Sequence, residues 1–183
     1  NQTIAHNTLT VDEVSQYPQG TSDSIWASER GGREVYGVQH IFHAGESLKA
    51  VRVTCDTAYE GVNMDRTLCL VGDYLLDVFR ATSERPHTYD LALHAVGRIT
   101  TDATLEPAPP GWLGARGYAH LTDVRRAPLT SGLKAVFDNN VCSLLALHRP
   151  LQNATIIVAA DPVKGGEPAR TAVIWRTVGP EAT

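Results

Sequence analysis

The segment Leu68-Cys69-Leu70-Val71-Gly72-Asp73-Tyr74-Leu75-Leu76-Asp77-Val78-Phe79 decides the fold class. Two short apolar runs flank the dipeptide Gly72-Asp73, and such a dipeptide between apolar runs is typical of a two-residue β-hairpin turn. Asp138-Asn139-Asn140 lies between the apolar stretches 134–137 and 141–147 and predicts a second turn. Both segments therefore predict neighbouring antiparallel strands.

Strand signals recur along the rest of the chain. Residues 50–55 and 89–99 alternate apolar and polar side chains, and residues 155–160 and 171–176 are rich in apolar and β-branched side chains. The signals are spaced by roughly ten residues, with Gly, Pro, Asn and Asp between them. This spacing predicts an all-β fold, a large antiparallel β-sandwich with few or no helices. The proline-rich stretch 101–116 is interpreted as a long excursion from the sheet.

Composition excludes several classes of protein. The chain has 183 residues, 43 % of them hydrophobic, and a net charge of -4. It contains no apolar stretch of about 18 residues, which argues against a membrane span, and no basic excess, which argues against nucleic-acid binding. Cys55, Cys69 and Cys142 match no zinc-binding spacing. We expect three buried thiols, with a Cys55–Cys69 disulfide as the alternative.

His87, Tyr89, Asp90 and His94 form the richest local group of chemically active side chains. In a strand, Asp90 and His94 share a face but lie roughly 13 Å apart, too far to bond directly. A Tyr and a His together suit proton transfer, yet we expect Tyr89 and Asp90 to be structural. His87 follows Pro86 and is expected in a loop, the most exposable of the four.

Other candidates each have two interpretations. Arg66 and Asp77 flank the Gly72-Asp73 turn and form either an ion pair that fixes strand register or a clamp for a substrate carboxylate. Trp112, in a stiff Pro-Gly loop, either caps the core or stacks on a sugar ring. His40 and His43 are expected to be surface residues, since positions three apart in a strand face opposite ways.

Two stretches together resemble the heparinase II/III-like polysaccharide lyases. The first is Ala5-His6-Asn7-Thr8-Leu9-Thr10-Val11-Asp12, followed by Glu13 where the family usually has Gly. The second runs through residues 65–80 and continues with His87-Thr88-Tyr89-Asp90-Leu91-Ala92-Leu93-His94. The His-Thr-Tyr-Asp-Leu form is similar to the oligo-alginate lyase branch in particular. The resemblance extends over residues 1 to about 100.

The resemblance implies an architecture and an activity. In such lyases a helical toroid precedes a large β-sandwich domain, part of a supersandwich. Residues 1–183 would then be the C-terminal β-sandwich domain of a longer enzyme, with the toroid and the first strands outside this chain. The intact enzyme would cleave a uronate-containing glycan, alginate or heparin-like, by β-elimination in the periplasm or outside the cell. We expect the chain alone to be inactive.

The resemblance also implies site residues. In some members the histidine equivalent to His6 ligates a structural zinc, together with a His and an Asp from upstream strands. The alternative that the resemblance implies, for oligo-alginate-type members, is a position facing the sugar as a catalytic group. Without the resemblance, His6 is interpreted as a strand histidine that is hydrogen-bonded to a backbone carbonyl. Asn7 would orient His6 or cap a strand end.

The expected substrate contacts are Asn7, His87, Trp112 and Arg66, with an acidic polysaccharide and the toroid as partners. The alternative function is a non-catalytic carbohydrate-binding or structural interaction domain.

Overall fold

The computed structural model describes residues 2–16, 35–115, 117–130, 132–148, 153–162 and 170–182. Within these ranges there is no α-helix, and the only helical elements are short 3-10 turns. None of the described helices is long and apolar enough to cross a membrane. The strands are β1 (Leu9–Val11), β2 (Val38–Ala44), β3 (Lys49–Tyr59), β4 (Val62–Val71), β5 (Tyr74–Val96), β6 (Arg98–Thr101), β7 (Glu106–Pro107), β8 (Thr122–Pro128), β9 (Leu133–Asp138), β10 (Ser143–His148), β11 (Ala154–Asp161) and β12 (Arg170–Ala182). The prediction of an all-β antiparallel sandwich is confirmed.

The chain divides into two compact units. Unit 1 comprises Asn1–Ser15 and Thr88–Val178, and unit 2 comprises Gln16–His87 and Gly179–Thr183. In unit 1 one sheet has the strand order β5-β12-β11-β8-β7, with β1 paired to β5, and a second sheet has the order β10-β9-β6. In unit 2 the order is β2-β3-β4-β5.

The core of unit 1 lies between its two sheets. Phe137 and Leu133 of β9 pack against Ile156 of β11 and against Val173 and Trp175 of β12, all at most 7 % exposed. Burial of each such side chain contributes roughly 1.5–3 kcal/mol. This apolar layer makes the two sheets a sandwich.

A second apolar layer covers the opposite face of β11 and β12. Ile157 and Ile174 pack there with Ile4, Leu113 and Tyr118, which come from the N-terminal segment and from the loop before β8. Because both faces of β11 are covered, its sequence is an almost unbroken apolar run rather than an alternating one.

Unit 2 contains the hairpin that the sequence predicts. Val71 pairs with Tyr74 and Leu68 with Asp77, so Gly72-Asp73 is a two-residue turn. Gly72 has φ +55°, a left-handed conformation that glycine adopts without steric cost.

Strand β5 differs from expectation. It runs without a break from Tyr74 to Val96, so the predicted loop at His87 is wrong, and His87 is half-buried within the strand. Pairing with β4 ends at Ser83, and pairing with β1 begins at Tyr89. Pro86 lies in the stretch between them, where the missing N–H costs no hydrogen bond to either strand.

The cysteines also differ from expectation. All three are free thiols; Cys55 and Cys69 are half-buried and Cys142 is exposed, so the prediction of three buried thiols is wrong. Cys55 pairs with Met64, and Cys69 pairs with Ala50. The five-residue offset along the strands separates the two sulfur positions by roughly 17 Å, which excludes a disulfide.

Candidate functional site

The N-terminal segment is held along β5 in unit 1. The Ala92 backbone N–H donates to the Thr8 carbonyl oxygen over 3.1 Å, and the Asp12 backbone N–H donates to the Thr88 carbonyl oxygen over 2.8 Å. The Thr88 N–H returns a hydrogen bond to the Asp12 carboxylate over 2.9 Å. These bonds continue the antiparallel pairing of β1 at both of its ends, so residues 8–12 follow β5 in a fixed register.

His94 holds the residues on both sides of His6. Its ring Nδ1 lies 2.8 Å from the Asp161 carboxylate, and its Nε2 lies 2.7 Å from the Ile4 carbonyl oxygen. Its backbone N–H donates to the Asn7 side-chain oxygen over 2.7 Å. Arg170 lies 2.6 Å from the same Asp161 carboxylate. The Asn7 side chain therefore caps a backbone donor of β5.

His6 itself is exposed and lies between these two anchored positions. Among the described residues no group of three or more His, Cys, Asp or Glu side chains could hold a metal ion. A structural zinc site normally has four protein ligands. The described residues therefore do not form a zinc site by themselves, and the zinc predicted at His6 would need ligands from elsewhere.

Asp90 is the centre of a buried charged network. Arg176 donates through Nε and Nη2 to the two Asp90 carboxylate oxygens, each over 2.7 Å, and Nη2 also donates to Glu13 over 2.6 Å. The Tyr118 hydroxyl donates to Asp90 over 2.6 Å and is hydrogen-bonded to the Thr10 hydroxyl. Asp90 is fully buried, so its charge is balanced inside unit 1, as a buried charge requires.

This environment affects the pKa of the Tyr118 hydroxyl. Burial raises that pKa well above its usual value, and the neighbouring Asp90 carboxylate raises it further. Tyr118 therefore stays a neutral hydrogen-bond donor to Asp90.

Glu13 stands where the family usually has glycine, and its backbone conformation and its ion pair show how a glutamate fits there. Its φ is +59°, in the left-handed region where a glycine is favoured. The Glu13 side chain compensates by its ion pair with Arg176, 2.6 Å away and largely buried. The motif ends in a turn that glycine normally makes, and in this chain a carboxylate at that position ties the turn to β12.

Trp112 lies beside Arg176 of the Asp90 network in unit 1. Its ring is half-buried, and the ring centroid lies 4.6 Å from the Arg126 Cζ and 5.2 Å from the Arg176 Cζ. These cation–π contacts occupy part of the ring surface that a stacked sugar would use. Stacking of a sugar on Trp112 stays a prediction.

Arg66 is engaged within unit 2. It donates to Asp77 over 2.9 Å and 2.6 Å, and its guanidinium lies 5.2 Å from the centre of the Phe79 ring. The side chains of Arg66 and Asp77 are 27 % and 32 % exposed. The pair therefore joins β4 and β5 as the register-fixing alternative requires. Substrate contacts of Arg66 and of His87 stay predictions.

Sequence reasoning missed the partners of Asp90. These partners, Arg176 and Tyr118, are distant from the motifs in the sequence, and only the fold brings them to Asp90. One signal was available, because an aspartate predicted inside a buried strand requires a cation as its partner.

Residues 1–159 match the family described as heparinase II/III-like, C-terminal, and the chain belongs to that family. The resemblance inferred from the two motifs is thereby confirmed.

Two curated relatives extend the comparison. The chain is 33 % identical over 138 residues to an alginate lyase of Stenotrophomonas maltophilia (strain K279a). This alignment covers 69 % of this chain and 18 % of that protein. The chain is also 30 % identical over 104 residues to an exo-oligoalginate lyase of Saccharophagus degradans. This second alignment covers 54 % of this chain and 13 % of that protein. The matched region thus spans less than a fifth of either relative.

A solved structure supports the fold. The crystal structure of a heparan sulfate lyase HepC mutant from Pedobacter heparinus aligns with all of this chain and with 23 % of its own chain, with a TM-score of 0.51 and 14 % sequence identity. At that identity the likeness concerns the fold alone.

Proposed function

We propose that the chain is the β-sandwich portion of a polysaccharide lyase that cleaves a uronate-containing glycan, alginate or heparin-like, by β-elimination. The observation that carries the proposal is the family match over residues 1–159. The names of the two relatives, alginate lyase and exo-oligoalginate lyase, favour the same reaction.

β-Elimination has three chemical requirements. A cation or hydrogen-bond donor neutralises the C6 carboxylate of the uronate, which makes the C5 proton acidic enough to remove. A base takes the C5 proton, the C4–C5 double bond forms, and the C4–O4 bond breaks. An acid then protonates the departing O4.

This chain would supply one wall of the cleft. His6 is exposed on a segment whose neighbours, Ile4 and Asn7, are fixed by His94. We assign His6 either a position facing the sugar or one ligand of a structural zinc completed by upstream residues. Asn7, His87, Trp112 and Arg66 are the proposed substrate contacts.

Exposed apolar side chains support a role as part of a larger protein. In unit 2 a group of exposed apolar side chains adjoins the β4–β5 turn, with Tyr74 82 % and Leu75 63 % exposed beside Leu76, Leu70 and Val71. Large exposed apolar side chains that form patches mark interaction surfaces. The N-terminal toroid of the same polypeptide is the proposed partner, and the periplasm or the cell exterior is the proposed location.

The ultraviolet absorbance of the unsaturated product tests this function. The chain alone and the polypeptide isolated from its source are each incubated with alginate and with heparin. The source polypeptide is expected to give the absorbance with at least one glycan, and the chain alone to give none. Turnover by the chain alone would refute its dependence on the toroid, and a silent source polypeptide would refute the lyase function.

The second candidate is a non-catalytic carbohydrate-binding or structural interaction domain. It is favoured by the β-sandwich of unit 1 and by the half-buried Trp112, an aromatic side chain of the kind that stacks on sugar rings, because a binding module needs no more than these. In the same assay it predicts a silent source polypeptide.

A further inference from the structure

Strand β10 is an outer strand of the unit 1 sandwich. It pairs along its whole length with β9, from Ser143 opposite Asp138 to His148 opposite Leu133. Among the described strands none lies on the other side of β10. An uncovered strand edge presents a row of backbone donors and acceptors to which another strand can bind, so most proteins protect such edges.

The other outer strands of the described sheets have such protection. β1 has three residues, all buried, and β7 has two residues, one of which is Pro107. β6 has four residues, with Arg98 exposed at its start. β2 is longer, but its pairing with β3 is interrupted by a bulge between Gln39 and Ile41. Short length, proline, a charged side chain and a bulge each disfavour pairing with a further strand.

β10 has none of these features. Its six residues, Ser143–His148, include no Lys, Arg, Asp, Glu or Pro, and its pairing with β9 shows no register shift. Leu144 is 48 % exposed, Leu145 is 51 % exposed and Leu147 is 72 % exposed. β10 is therefore an apolar edge without protection, and such an edge pairs with another chain unless something covers it.

The register shows which backbone groups of β10 point to the open side. Asp102 follows β6, which lies on the far side of β9 from β10. The Lys134 backbone N–H donates to the Asp102 carboxylate over 3.0 Å, and the Lys134 carbonyl oxygen accepts from the Asp102 N–H over 3.3 Å. Lys134 and its partner Leu147 are therefore a non-hydrogen-bonded pair of the antiparallel ladder. By alternation, the backbone groups of Ser143, Leu145 and Leu147 point to the open side.

We propose that β10 pairs with β10 of a second copy of this chain, in antiparallel orientation about a two-fold axis at Leu145. In this register Leu145 lies opposite its own counterpart, and Ser143 lies opposite Leu147. On the other face of the strand, Leu144 lies opposite Ala146. The three outward-pointing residues of each copy then form about six backbone hydrogen bonds across the axis. The two three-stranded sheets become one continuous sheet.

The side chains of β10 favour a second copy as the partner. A two-fold axis brings each residue close to the same strand, so a charged strand would face its own charge, whereas β10 places neutral side chains opposite neutral side chains. Leu145 meets a leucine and Leu144 meets an alanine, which shelters apolar surface on both faces. Assembly through one surface shared by both copies is the commonest form of homo-oligomer.

The size of the contact sets the expected affinity. A paired strand of five residues is about 17 Å long and buries roughly 500 Å² of each copy. The total of about 1,000 Å² is at the lower limit for a specific interface. We therefore expect a weak dimer, with a dissociation constant on the order of 10 μM.

Analytical ultracentrifugation of the chain over a range of concentrations tests the proposal. A reductant is present throughout, because the exposed thiol of Cys142 adjoins β10. The chain is expected to pass from monomer to dimer as its concentration rises. Leu145→Lys places two cations opposite each other at the axis, and it should raise the dissociation constant about tenfold or more.

Ile41→Lys is the matched control. Ile41 is 44 % exposed on β2, the outer strand with the bulge, and its substitution should leave the dissociation constant unchanged. Leu147→Lys is a second β10 variant in case Leu145→Lys fails to fold. A monomer at every concentration would overturn the proposal. A dimer that persists in both β10 variants, or that is weakened equally by Ile41→Lys, would also overturn it.

Hydrogen exchange identifies what covers the edge. In the proposed dimer the amides of Ser143, Leu145 and Leu147 exchange more slowly as the concentration rises, whereas those of Leu144 and Ala146, which face β9, do not change. The polypeptide from its source is expected to show the same dependence. Protection of the three outward amides that does not depend on concentration would mean that a strand of the same polypeptide covers β10, and it would overturn the assignment to a second copy.

Discussion

Replacing Asp90 with asparagine tests whether the buried network holds unit 1 together. Asparagine keeps the shape and can still accept from Tyr118, but it removes the charge that balances Arg176. Arg176 is 12 % exposed, and Asp90 is fully buried. Breaking a buried pair by removing one partner costs roughly 3–5 kcal/mol. Because Glu13 still contacts Arg176, we expect the lower end, a loss of about 3 kcal/mol in the free energy of unfolding.

The assay is urea denaturation followed by tryptophan fluorescence, since Trp112 and Trp175 both lie in unit 1. Asp123→Asn is the matched control, because Asp123 pairs with Arg125 on the surface with side chains 70 % and 52 % exposed. An exposed pair contributes about 0–1 kcal/mol, so the control should be nearly neutral. If Asp90→Asn costs no more than Asp123→Asn, the network does not stabilise unit 1 and the reasoning is refuted.

Three further predictions concern single contacts. Glu13→Gly should be more stable than Glu13→Ala by about 1 kcal/mol in urea denaturation, because both lose the ion pair but glycine suits the left-handed turn; equal stabilities would contradict this. His94→Leu should speed hydrogen exchange of the amides before β1, since it removes the bond to the Ile4 carbonyl oxygen; unchanged exchange would show that His94 is not the anchor. Arg52→Gln should raise the pKa of Asp65 in a carboxyl NMR titration, and an unmoved pKa would refute the coupling.

The lowered pKa of Asp65 also determines how the stability of the fold depends on pH. The folded-state pKa of Asp65 is lowered by Arg52, below the value of about 3.9 that an unfolded aspartate has. The pair therefore stabilises the fold fully above that pH, and the stabilisation is lost as pH falls through the folded-state pKa. Arg52→Gln should remove the largest part of this acid dependence, because the Arg52 hydrogen bond is the main cause of the lowered pKa of Asp65.

The sequence predicts much of the fold because hairpin turns and burial are local signals. The turn at Gly72-Asp73 and the apolar strands β11 and β12 follow from a few neighbouring residues. Strand β8 gives no such signal, since Asp123, Arg125 and Arg126 make it polar, and its pairing with β11 defines it as a strand. The continuity of β5 through Pro86 likewise depends on where its neighbours end.

The candidate site was less predictable from the sequence. Alternation correctly places Asp90, Ala92 and His94 on one face of β5, where Ala92 joins the apolar layer around Ile157. The charged partners of His94 and Asp90, which are Asp161 and Arg176, come from strands β11 and β12, more than sixty residues later in the chain. Periodicity within one strand cannot identify such partners, because the pairing depends on the packing of the whole unit.

The central claim is that this chain is the sandwich portion of a longer lyase. The most direct test is the intact mass and N-terminal sequence of the polypeptide from its source, with metal analysis of the same sample. The account predicts a polypeptide that extends far upstream of Asn1, and zinc bound to that polypeptide would favour the ligand role of His6 over the sugar-facing role. A metal-free polypeptide that begins at Asn1 would contradict the account and leave the carbohydrate-binding function in its place.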